Sequence, residues 1–337
     1  MTEWTLAIVT PTLNEAHNLR GLKASIDALR DEVDVELMTV IVDTGSDDGS
    51  PDVAKSLGFD IVVVSPDSNI PIARNIGVRS CESTHLAFID ADCRPHPGWL
   101  HGAFSALDDD EFMVGGWPTR CPSPPTWVQR AWQAHSDARI GSYDIDEKGK
   151  VHTDDVRRLI TTANMVLTRA AFDRLDGFDE ALATGSDTEF VYRAHRDDVL
   201  IVGVPAMYTV HEGEPATLRD FFRRQLWNAN PRAYRGDGKQ RHGRNPEMFT
   251  RAFGAGIALG LLGTGIETRR GRAWRAAAAW APLIGVVTGP AMRTAWRSGR
   301  LQLTPSLAAV YGAYGMARAL RSAGYRSNYR SWRNRTR

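Results

Sequence analysis

Two stretches near the N-terminus decide the fold: LAIVTPTLNE at Leu6–Glu15 and LMTVIVDTGSDDGS at Leu37–Ser50. In each, a continuous run of apolar and β-branched residues ends abruptly in polar and turn-forming residues. Uninterrupted apolar runs of this length are typical of strands that are buried on both faces of a parallel sheet. We therefore predict strands at Leu6–Thr10 and Leu37–Val42, each followed by a polar loop.

The same alternation continues through the first third of the chain. Further apolar runs predict strands at Ile61–Ser65 and His85–Ile89, and the segments between strands have helical spacing, as in Leu19, Leu22 and Ile26. Repeated strand–helix–strand units predict an α/β fold with a mostly parallel sheet and flanking helices. Ligands of such sheets bind beyond the carboxyl ends of the strands, so polar residues there are the first candidates for a site.

Composition and charge indicate a folded protein with two unlike parts. The 337 residues are 42% hydrophobic and 24% charged, and the three cysteines lack the spacing of a disulfide framework or a zinc knot. Residues 1–218 carry 18 basic and 36 acidic side chains, whereas residues 219–337 carry 23 basic and 4 acidic ones. The acidic part is poorly suited to nucleic acid, and the Arg-rich part suits an anionic lipid surface, an anionic substrate or RNA.

The basic C-terminal part contains three apolar stretches. They are Ala252–Ile266, Ala276–Met292 and Leu303–Ala317, of 15, 17 and 15 residues. Each is shorter than the ~20 residues of a full membrane span. Two structures stay open here: a helical bundle packed on the rest of the chain, or helices held in or on a membrane by the arginines that flank them. We favour membrane association.

Polar residues follow three neighbouring strands of the predicted sheet. Asn14 and Glu15 follow the first strand, Asp43 follows the second, and Asp90-Ala91-Asp92 follows the fourth along the chain. Because residues two apart on a strand point to the same side, the two carboxylates of the last element can converge on one divalent cation. Helix capping is the commoner use of such residues, but three clusters at one sheet edge favour a nucleotide site.

Taken together, these clusters resemble a known family. The motifs that carry the resemblance are, in order, Pro11-x-x-Asn14-Glu15, Asp43-x-Gly45-Ser46-x-Asp48-Gly49-Ser50, Ala73-Arg74-Asn75-x-Gly77, Asp90-x-Asp92 and Gly177-Phe178-Asp179-Glu180. They are similar to those of the inverting family-2 glycosyltransferases with the GT-A fold. The resemblance implies a Rossmann-like catalytic domain at residues 1–230, with a nucleotide-sugar half at about 1–118 and an acceptor half at about 119–230. A basic helical region at 231–337 follows it.

The resemblance also implies a donor and a cation. It assigns a nucleotide-diphosphate sugar to a site formed by Pro11, Asn14, Glu15, Asp43, Arg74, Asp90, Ala91 and Asp92. By the same similarity, Asp92 ligates Mn²⁺ or Mg²⁺. His211 resembles a histidine that some GT-A enzymes add at the metal or diphosphate, and a packing histidine is an equal alternative.

The implied catalytic base is a carboxylate at the start of a later helix. In the family it is usually the Asp of a Glu-Asp pair, and here Ser186 precedes Asp187 in place of the Glu. We predict that Asp187 takes the proton of the acceptor hydroxyl as that oxygen attacks the anomeric carbon, with Glu189 in reserve. One such displacement inverts the anomeric centre. A helix-capping role is the alternative for Asp187.

The sequence predicts the acceptor and the location more coarsely. Asn164 matches a family segment beneath the acceptor site, and Trp227, on a helix predicted at Thr217–Asn230, is a further acceptor candidate. The acceptor is a hydroxyl of a glycan, of a lipid-linked sugar or of a small molecule, as in the synthesis of a cell-envelope polysaccharide. We expect an anionic membrane surface and no nucleic acid as partner, and a location on the cytoplasmic side of the cell membrane.

Other functions compete with this prediction. A sugar-nucleotide nucleotidyltransferase shares the sheet architecture, but it needs a Gly-rich, basic loop after the first strand, and Thr10–Glu15 contains no Gly, Lys or Arg. No G-x-G-x-x-G follows that strand, which argues against a dehydrogenase. A non-catalytic domain that binds a nucleotide-sugar or scaffolds a membrane complex stays open.

Overall fold

The structure is a computed structural model, and nine segments of the chain are described. They are residues 4–30, 32–33, 35–107, 113–140, 143–147, 149–152, 160–182, 185–228 and 246–325. By their internal contacts, the residues form two compact units. The first unit is Met1–Pro122, Tyr143–Gly213 and Asn230–Gly236, and the second is Ser123–Ser142, Glu214–Ala229 and Asp237–Arg337. This division groups two earlier segments with the C-terminal helices, and the domain boundary at residue 230 stays a prediction.

A seven-stranded sheet is the centre of the first unit. The strands of the described residues are β1 (Thr5–Thr12), β2 (Glu36–Asp43), β3 (Ile61–Val64), β4 (His85–Phe88), β5 (Cys93–Pro95), β6 (Met113–Gly116), β7 (Met165–Thr168), β8 (Leu200–Gly203) and β9 (Thr209–His211). The large sheet has the order β3-β2-β1-β4-β7-β6-β8. Its first four strands in this order are parallel, and β7 is antiparallel to both neighbours. The predicted α/β class with a mostly parallel sheet is confirmed.

Helices flank this sheet and form most of the second unit. They are α1 (Ala16–Leu29), α2 (Ser50–Ser56), α3 (Ile70–Arg79), α4 (Trp99–Leu107), α5 (Trp127–Ile140), α6 (Arg169–Arg174), α7 (Ser186–Arg196), α8 (Leu218–Asn228), α9 (Pro246–Arg269), α10 (Ala273–Ala278), α11 (Ala281–Arg297) and α12 (Thr304–Ser322). Local signals explain their starts. The Asn69 side chain accepts a hydrogen bond from the Ile72 N–H and caps α3, and Pro71 occupies the first turn.

Close packing of α3 on the sheet positions the residues that follow β1 and β4. A Cβ atom at Gly77 would lie 2.4 Å from a methyl carbon of Val9, so only glycine allows this approach. Val9 is fully buried on β1, and the predicted apolar face of α1, including Leu22 and Ile26, is fully buried too. The packing thereby brings the α3 side chains to the carboxyl edge of the sheet.

A second, two-stranded sheet lies beyond β4. Strand β5 pairs with β9 in antiparallel register, with Cys93 opposite His211. The sequence pattern does not predict β5, because a segment of three residues that ends in proline is too short to show the alternation of a strand. Tertiary pairing alone therefore joins two segments that are far apart in sequence.

The second unit contains the C-terminal helices together with α5 and α8. Its core consists of apolar residues from four of these helices, α5, α8, α11 and α12: Val128, Ala131, Phe221, Ala291, Ala295, Leu307, Val310 and Tyr311. Phe249 of α9 packs against the edge of this core. On α9, Gly256 and Gly260 allow close approach, because added Cβ atoms would lie 3.0 Å from Leu283 and 2.6 Å from Trp280. The three apolar stretches of the sequence are thus helical.

Many large apolar side chains of this unit are exposed. Helix α9 contains, at Met248–Arg269, a segment long and apolar enough to cross a membrane, with a mean hydropathy of 1.3, by length and composition only. In the most apolar 18-residue stretch of this segment, 17% is buried. The exposed apolar residues of α9 include Leu259, Leu261, Leu262 and Ile266. Further ones lie on α10, on α11 and in the turn that follows: Trp274, Ile284, Met292, Trp296 and Leu301.

Candidate active site

The loop after β2 is organised around the carboxylate of Asp43, which is fully buried. One oxygen accepts hydrogen bonds from the backbone N–H groups of Gly45 (3.0 Å) and Ser46 (2.8 Å). The other accepts from the hydroxyls of Thr12 (2.9 Å) and Ser46 (2.5 Å). A carboxylate accepts about four hydrogen bonds, so this set fills its capacity. Asp43 therefore holds the loop together, and its contact with a nucleotide stays a prediction.

Hydrogen bonds join the loop after β1 to the loop after β2. Asn14, in a left-handed conformation with φ of 59°, donates its N–H to the Ser46 hydroxyl (2.7 Å) and accepts from the Asp47 N–H (2.9 Å). The Glu15 N–H donates to the Ser50 hydroxyl (2.9 Å). Asn14, Glu15 and Asp43 are thus brought together at one sheet edge, as parallel neighbouring strands require.

The Asp90-Ala91-Asp92 element leaves β4 as a turn. The Cys93 N–H donates to the Asp90 carbonyl at 2.9 Å, and Ala91 is buried. The strand geometry from which we expected both carboxylates to converge is therefore absent, because the backbone bends here to enter β5. Pro11 lies near the end of the adjacent strand β1, paired with Val42.

Arg74 connects this turn to α3. Its guanidinium donates to Asp90 Oδ1 at 3.1 Å, and the Arg74 side chain is 6% exposed, against 32% for Asp90. The guanidinium also lies 5.6 Å from the centre of the Phe178 ring. Arg74 Nε is buried and has no hydrogen-bond partner among the residues that the structure describes. Such an atom is a ready donor at the sheet edge, because buried polar groups rarely stay unsatisfied.

The side chain of Asn75, next along α3, holds the turn at Gly177-Phe178. It donates to the Phe178 carbonyl and to Glu180 Oε1, both at 2.9 Å, and it accepts from the Phe178 N–H at 2.9 Å. Gly177 has φ of 65°, and a Cβ there would lie 2.8 Å from Asn75 Oδ1. This turn precedes α7 and ties it to α3.

Asp187 lies in the first turn of α7, after Gly185 with its left-handed φ of 78°. The half-buried carboxyl accepts a hydrogen bond from the Thr188 N–H at 2.7 Å. Desolvation by burial raises the pKa of Asp187; the negative charge of Asp90 raises this pKa further, while Arg74 and the Thr188 N–H oppose the shift. The charges of Arg74 and Asp90, which are distant in sequence, thus influence the carboxyl of Asp187 in the folded chain.

Glu189, two residues further on α7, is engaged differently. Its two oxygens accept from Arg193 Nε at 2.6 Å and Arg193 Nη2 at 2.9 Å. Arg193 also donates to the carbonyls of Leu175 and, at 2.7 Å, of Gly177. Glu189 thus anchors the arginine that fastens α7 to the preceding turn, and its role as reserve base stays a prediction.

Asp92 and His211 meet where β5 pairs with β9. His211 Nε2 lies 3.2 Å from Asp92 Oδ1, and both side chains are at least nine-tenths buried. Oxygen and imidazole nitrogen are ligands that Mn²⁺ accepts in proteins. The buried Cys93 thiol adds a third donor atom, so that the three donor atoms lie within 4.8 Å of one another.

The backbone beside this centre fits a bound cation. A Cβ at Gly213 would lie 2.1 Å from Asp92 Oδ2 and 3.3 Å from His211 Nε2. Glycine therefore preserves space directly against two potential ligand atoms. The Glu212 N–H donates to the Asp92 carbonyl at 2.8 Å, which holds this segment against the turn after β4.

The two acceptor candidates lie in different surroundings. Asn164 is fully buried: its Oδ1 accepts from Trp99 Nε1 at 2.7 Å, and its Nδ2 donates to the carbonyls of Trp117 (2.8 Å) and Met207. These contacts give it a structural function in the core. Trp227 lies on α8 in the second compact unit and is partly buried. Contact of either residue with an acceptor stays a prediction.

Sequence reasoning missed several residues that build this site. Cys93 was considered only as one of three cysteines, and Asn75, Arg193 and Gly213 were given no role. The signal for Cys93 was its place directly after Asp92. Nothing in the sequence indicates that Gly213 faces Asp92, because pairing of β5 with β9 creates that proximity.

The fold and the site define a class: an α/β domain with a mostly parallel sheet and acidic residues at the carboxyl edge of that sheet. Residues 7–175 match the model of a family described as glycosyl transferase family 2. The match spans half of the chain, and the chain belongs to this family.

Named relatives agree with this assignment. Glycosyltransferase AglE of Haloferax volcanii is 29% identical over 198 residues, which cover 56% of this chain and 60% of that protein. The pre-mycofactocin glycosyltransferase of Mycobacterium tuberculosis is 26% identical over 328 residues, which cover 94% of this chain and 64% of that protein. The chain thus spans about three fifths of the length of these relatives.

A solved structure has the same fold. The mannosyltransferase PcManGT from Pyrobaculum calidifontis, in complex with GDP-Man and Mn²⁺, has a TM-score of 0.54 at 18% identity. The superposition covers 92% of this chain and 86% of that one. At this identity, the likeness establishes the GT-A-type fold alone.

Proposed function

We propose that this protein is a metal-dependent, inverting glycosyltransferase that moves a sugar from a nucleotide-diphosphate donor to an acceptor hydroxyl. One observation carries the proposal: burial raises the pKa of the Asp187 carboxyl, which the charges of Arg74 and Asp90 also influence. Asp90 leads through a two-residue turn to the buried Asp92–His211 pair. The proposed base and the proposed diphosphate-binding centre thus belong to one compact unit.

The donor occupies the carboxyl edge of β1, β2 and β4 in this proposal. The joined loops of Asn14 and Asp43 form the floor for the nucleotide, since hydrogen bonds hold the two loops together. Arg74 offers its guanidinium, including the buried Nε, to the donor phosphates or ribose. The complex of PcManGT with GDP-Man supports a donor of this chemical class.

Asp187 is the proposed base for the attacking hydroxyl. A general base works best when its pKa approaches the operating pH, and desolvation moves Asp187 in that direction. Arg74 and the Thr188 N–H stabilise the carboxylate form and oppose this shift. Attack from the face opposite the leaving nucleoside diphosphate inverts the anomeric centre.

Asp92 and His211 are the proposed ligands of Mn²⁺ or Mg²⁺. Such an ion, when bound, stabilises negative charge that develops on the leaving diphosphate. Asp92 supplies a carboxylate oxygen and His211 an imidazole nitrogen, 3.2 Å apart, and the glycine at 213 leaves room beside both. Burial of the pair excludes water from one side of the centre.

The proposed location is the cytoplasmic face of a membrane with anionic lipids. The exposed apolar residues of α9–α11 are interspersed with arginines, and the exposed Trp274 and Trp296 are each followed by an arginine, Arg275 and Arg297. Indole rings and Arg side chains together suit the boundary between headgroups and acyl chains. The acceptor in this proposal is a glycan or a lipid-linked sugar.

A vesicle experiment tests this location. Sedimentation with phosphatidylglycerol-containing vesicles should capture the chain, and the double change Trp274→Ser and Trp296→Ser should weaken capture several-fold. Trp127→Ser, which alters an exposed tryptophan on α5, is the matched control and should bind as the unaltered chain does. Equal capture by uncharged phosphatidylcholine vesicles would contradict a role for the arginines.

Donor binding tests the enzymatic proposal. The purified protein should bind or slowly hydrolyse one of a set of UDP-, GDP- and dTDP-sugars in Mn²⁺ or Mg²⁺, and EDTA should abolish this. Asp92→Ala should abolish it as well, whereas Asp52→Ala, which removes an exposed carboxylate on α2, should have no effect. Donor binding without hydrolysis or transfer to any acceptor would favour the non-catalytic alternative.

A further inference from the structure

The centre at Asp92 and His211 contains a third potential metal ligand, a thiol, that Mg²⁺ does not need. Cys93 follows Asp92 directly and faces His211 across the β5–β9 pair. Its sulfur lies with the Asp92 oxygen and the His211 nitrogen in a group whose atoms are all within 4.8 Å of one another. All three residues are buried.

We propose that Cys93 is a third ligand of this centre, through which the protein binds Zn²⁺ in preference to Mg²⁺ or Mn²⁺. The proposal rests on the metal site of the proposed function and adds its ion selectivity. Mg²⁺ takes oxygen ligands, whereas a thiolate selects softer ions such as Zn²⁺. A set of one carboxylate, one thiolate and one imidazole, with an open fourth position, is a zinc site by composition.

The distances between the donors are compatible with a shared ion. Two ligands about 2.0 Å from one tetrahedral ion are separated by roughly 3.3 Å. His211 Nε2 and Asp92 Oδ1 are 3.2 Å apart, close to that separation. Gly213 leaves open the side on which a Cβ would touch Asp92, which provides room for an ion or for a diphosphate oxygen.

The backbone that carries the three donors is rigid. The Arg94 guanidinium donates to the carbonyls of Ala91 (3.0 Å) and Cys93 (2.8 Å), and it reaches the Asn18 carbonyl at 3.1 Å. A Cβ at Gly21 would lie 2.6 Å from Arg94 Nε, so glycine makes room for this arginine beside α1. A preformed ligand set reduces the ordering cost of binding an ion.

Selectivity has a functional consequence. Divalent affinities of one N/O/S site rise from Mn²⁺ to Zn²⁺, and the thiolate steepens this order. Zn²⁺ would therefore compete with Mn²⁺ or Mg²⁺ for this centre, held by Asp92, Cys93 and His211. The centre responds to the available Zn²⁺ through a residue that plays no part in ligating Mg²⁺.

Cobalt spectroscopy tests the proposal without an activity assay. The Co²⁺-loaded protein should show a sulfur-to-cobalt charge-transfer band in the near ultraviolet, and Cys93→Ala should remove it. The matched control is Cys81→Ala, because Cys81 is a buried thiol that donates to the Gly77 carbonyl in α3 and should leave the band intact. Absence of the band in the unaltered protein, or its survival in Cys93→Ala, would overturn the proposal.

Metal competition measures the size of the effect. Loss of an outer-shell partner of a metal ligand costs roughly 10–100-fold in affinity, so loss of a direct ligand should weaken Zn²⁺ binding at least that much. Mn²⁺ binding should change much less, and X-ray absorption of the zinc form should contain a Zn–S distance of about 2.3 Å. Equal losses for both ions would contradict selectivity through the thiolate.

These outcomes are independent of the donor assay. Mn²⁺-dependent donor binding without a cobalt–sulfur band would refute ligation by Cys93 and leave the glycosyltransferase proposal intact. A cobalt–sulfur band in a protein that binds no nucleotide-sugar would establish the metal site and refute the proposed function.

Discussion

Two aspartates of the candidate active site, Asp43 and Asp187, have opposite surroundings. Asp43, after β2, is fully buried and accepts four hydrogen bonds from its own and the adjoining loop. Asp187, at the start of α7, is half-buried, and burial raises its pKa. Among the residues that the structure describes, its carboxyl accepts hydrogen bonds from Thr188 alone. A carboxylate whose capacity is filled stabilises structure, and one that is desolvated without such compensation is available for chemistry.

The largest expected effect comes from Asp187→Asn. Removing a general base typically costs 10²–10⁴-fold in rate, so turnover should fall by about 10³-fold. Affinity for the donor should stay within about threefold, because the amide preserves the shape of the side chain. Steady-state kinetics with the identified donor, together with calorimetric donor binding, measures the two quantities separately. Unchanged turnover would remove Asp187 from the role of base.

Asp43→Asn should lower stability, and Asp187→Asn should not. The asparagine amide has an NH₂ group in place of one carboxylate oxygen, and this NH₂ group cannot accept the hydrogen bonds that Asp43 accepts. The free energy of unfolding should therefore fall by about 3 kcal/mol. Asp187 has a raised pKa in the folded state, so its stabilising contribution is complete at acid pH and is lost as the pH rises through that pKa. Asp187→Asn should therefore gain stability relative to the unaltered protein as the pH rises from 4 to 8.

Urea unfolding of both variants at several pH values tests this contrast. The predicted contrast is wrong if Asp43→Asn unfolds at the same urea concentration as the unaltered chain. It is also wrong if Asp187→Asn loses stability relative to the unaltered chain as the pH rises.

Arg74→Met should move the acid limb of the pH–rate profile. The Arg74 charge lowers the pKa of Asp187, and without that charge the carboxyl keeps its proton to higher pH. Since the base acts in its ionised form, activity should begin to rise at higher pH than in the unaltered protein. Arg74→Lys retains a charge and should keep the limb near its original position. A limb that moves to lower pH would contradict the assigned contact.

The smallest effect is expected from Glu189→Gln. The Glu189–Arg193 pair is 23% and 17% exposed, and its loss should cost about 1 kcal/mol of stability. Turnover should change by less than about threefold, because Arg193 still bonds to the carbonyl of Gly177. Thermal unfolding and donor hydrolysis of this variant, beside Asp187→Asn, decide which carboxylate of α7 is the base. A 10³-fold loss in Glu189→Gln would transfer that role to Glu189.

Much of the sheet could be predicted because its signals are local. The apolar runs before Asp43 and Asp90 and the helical spacing of Leu19 and Leu22 follow from periodic burial. Strand β5, ending in Pro95, has no such period, and it forms only because β9 supplies its hydrogen-bonding partner.

The sequence by itself determined the α/β class, the order of polar clusters along the chain and the charge asymmetry between its two parts. Each is a property of neighbouring residues or of composition. Only the tertiary structure decided that the carboxylate of Asp43 accepts its full set of hydrogen bonds and that Cys93 lies beside His211. It also decided that the charges of Arg74 and Asp90 act on Asp187. These contacts join segments far apart in sequence, and burial, hydrogen bonding and charge at a carboxylate depend on which distant groups surround it.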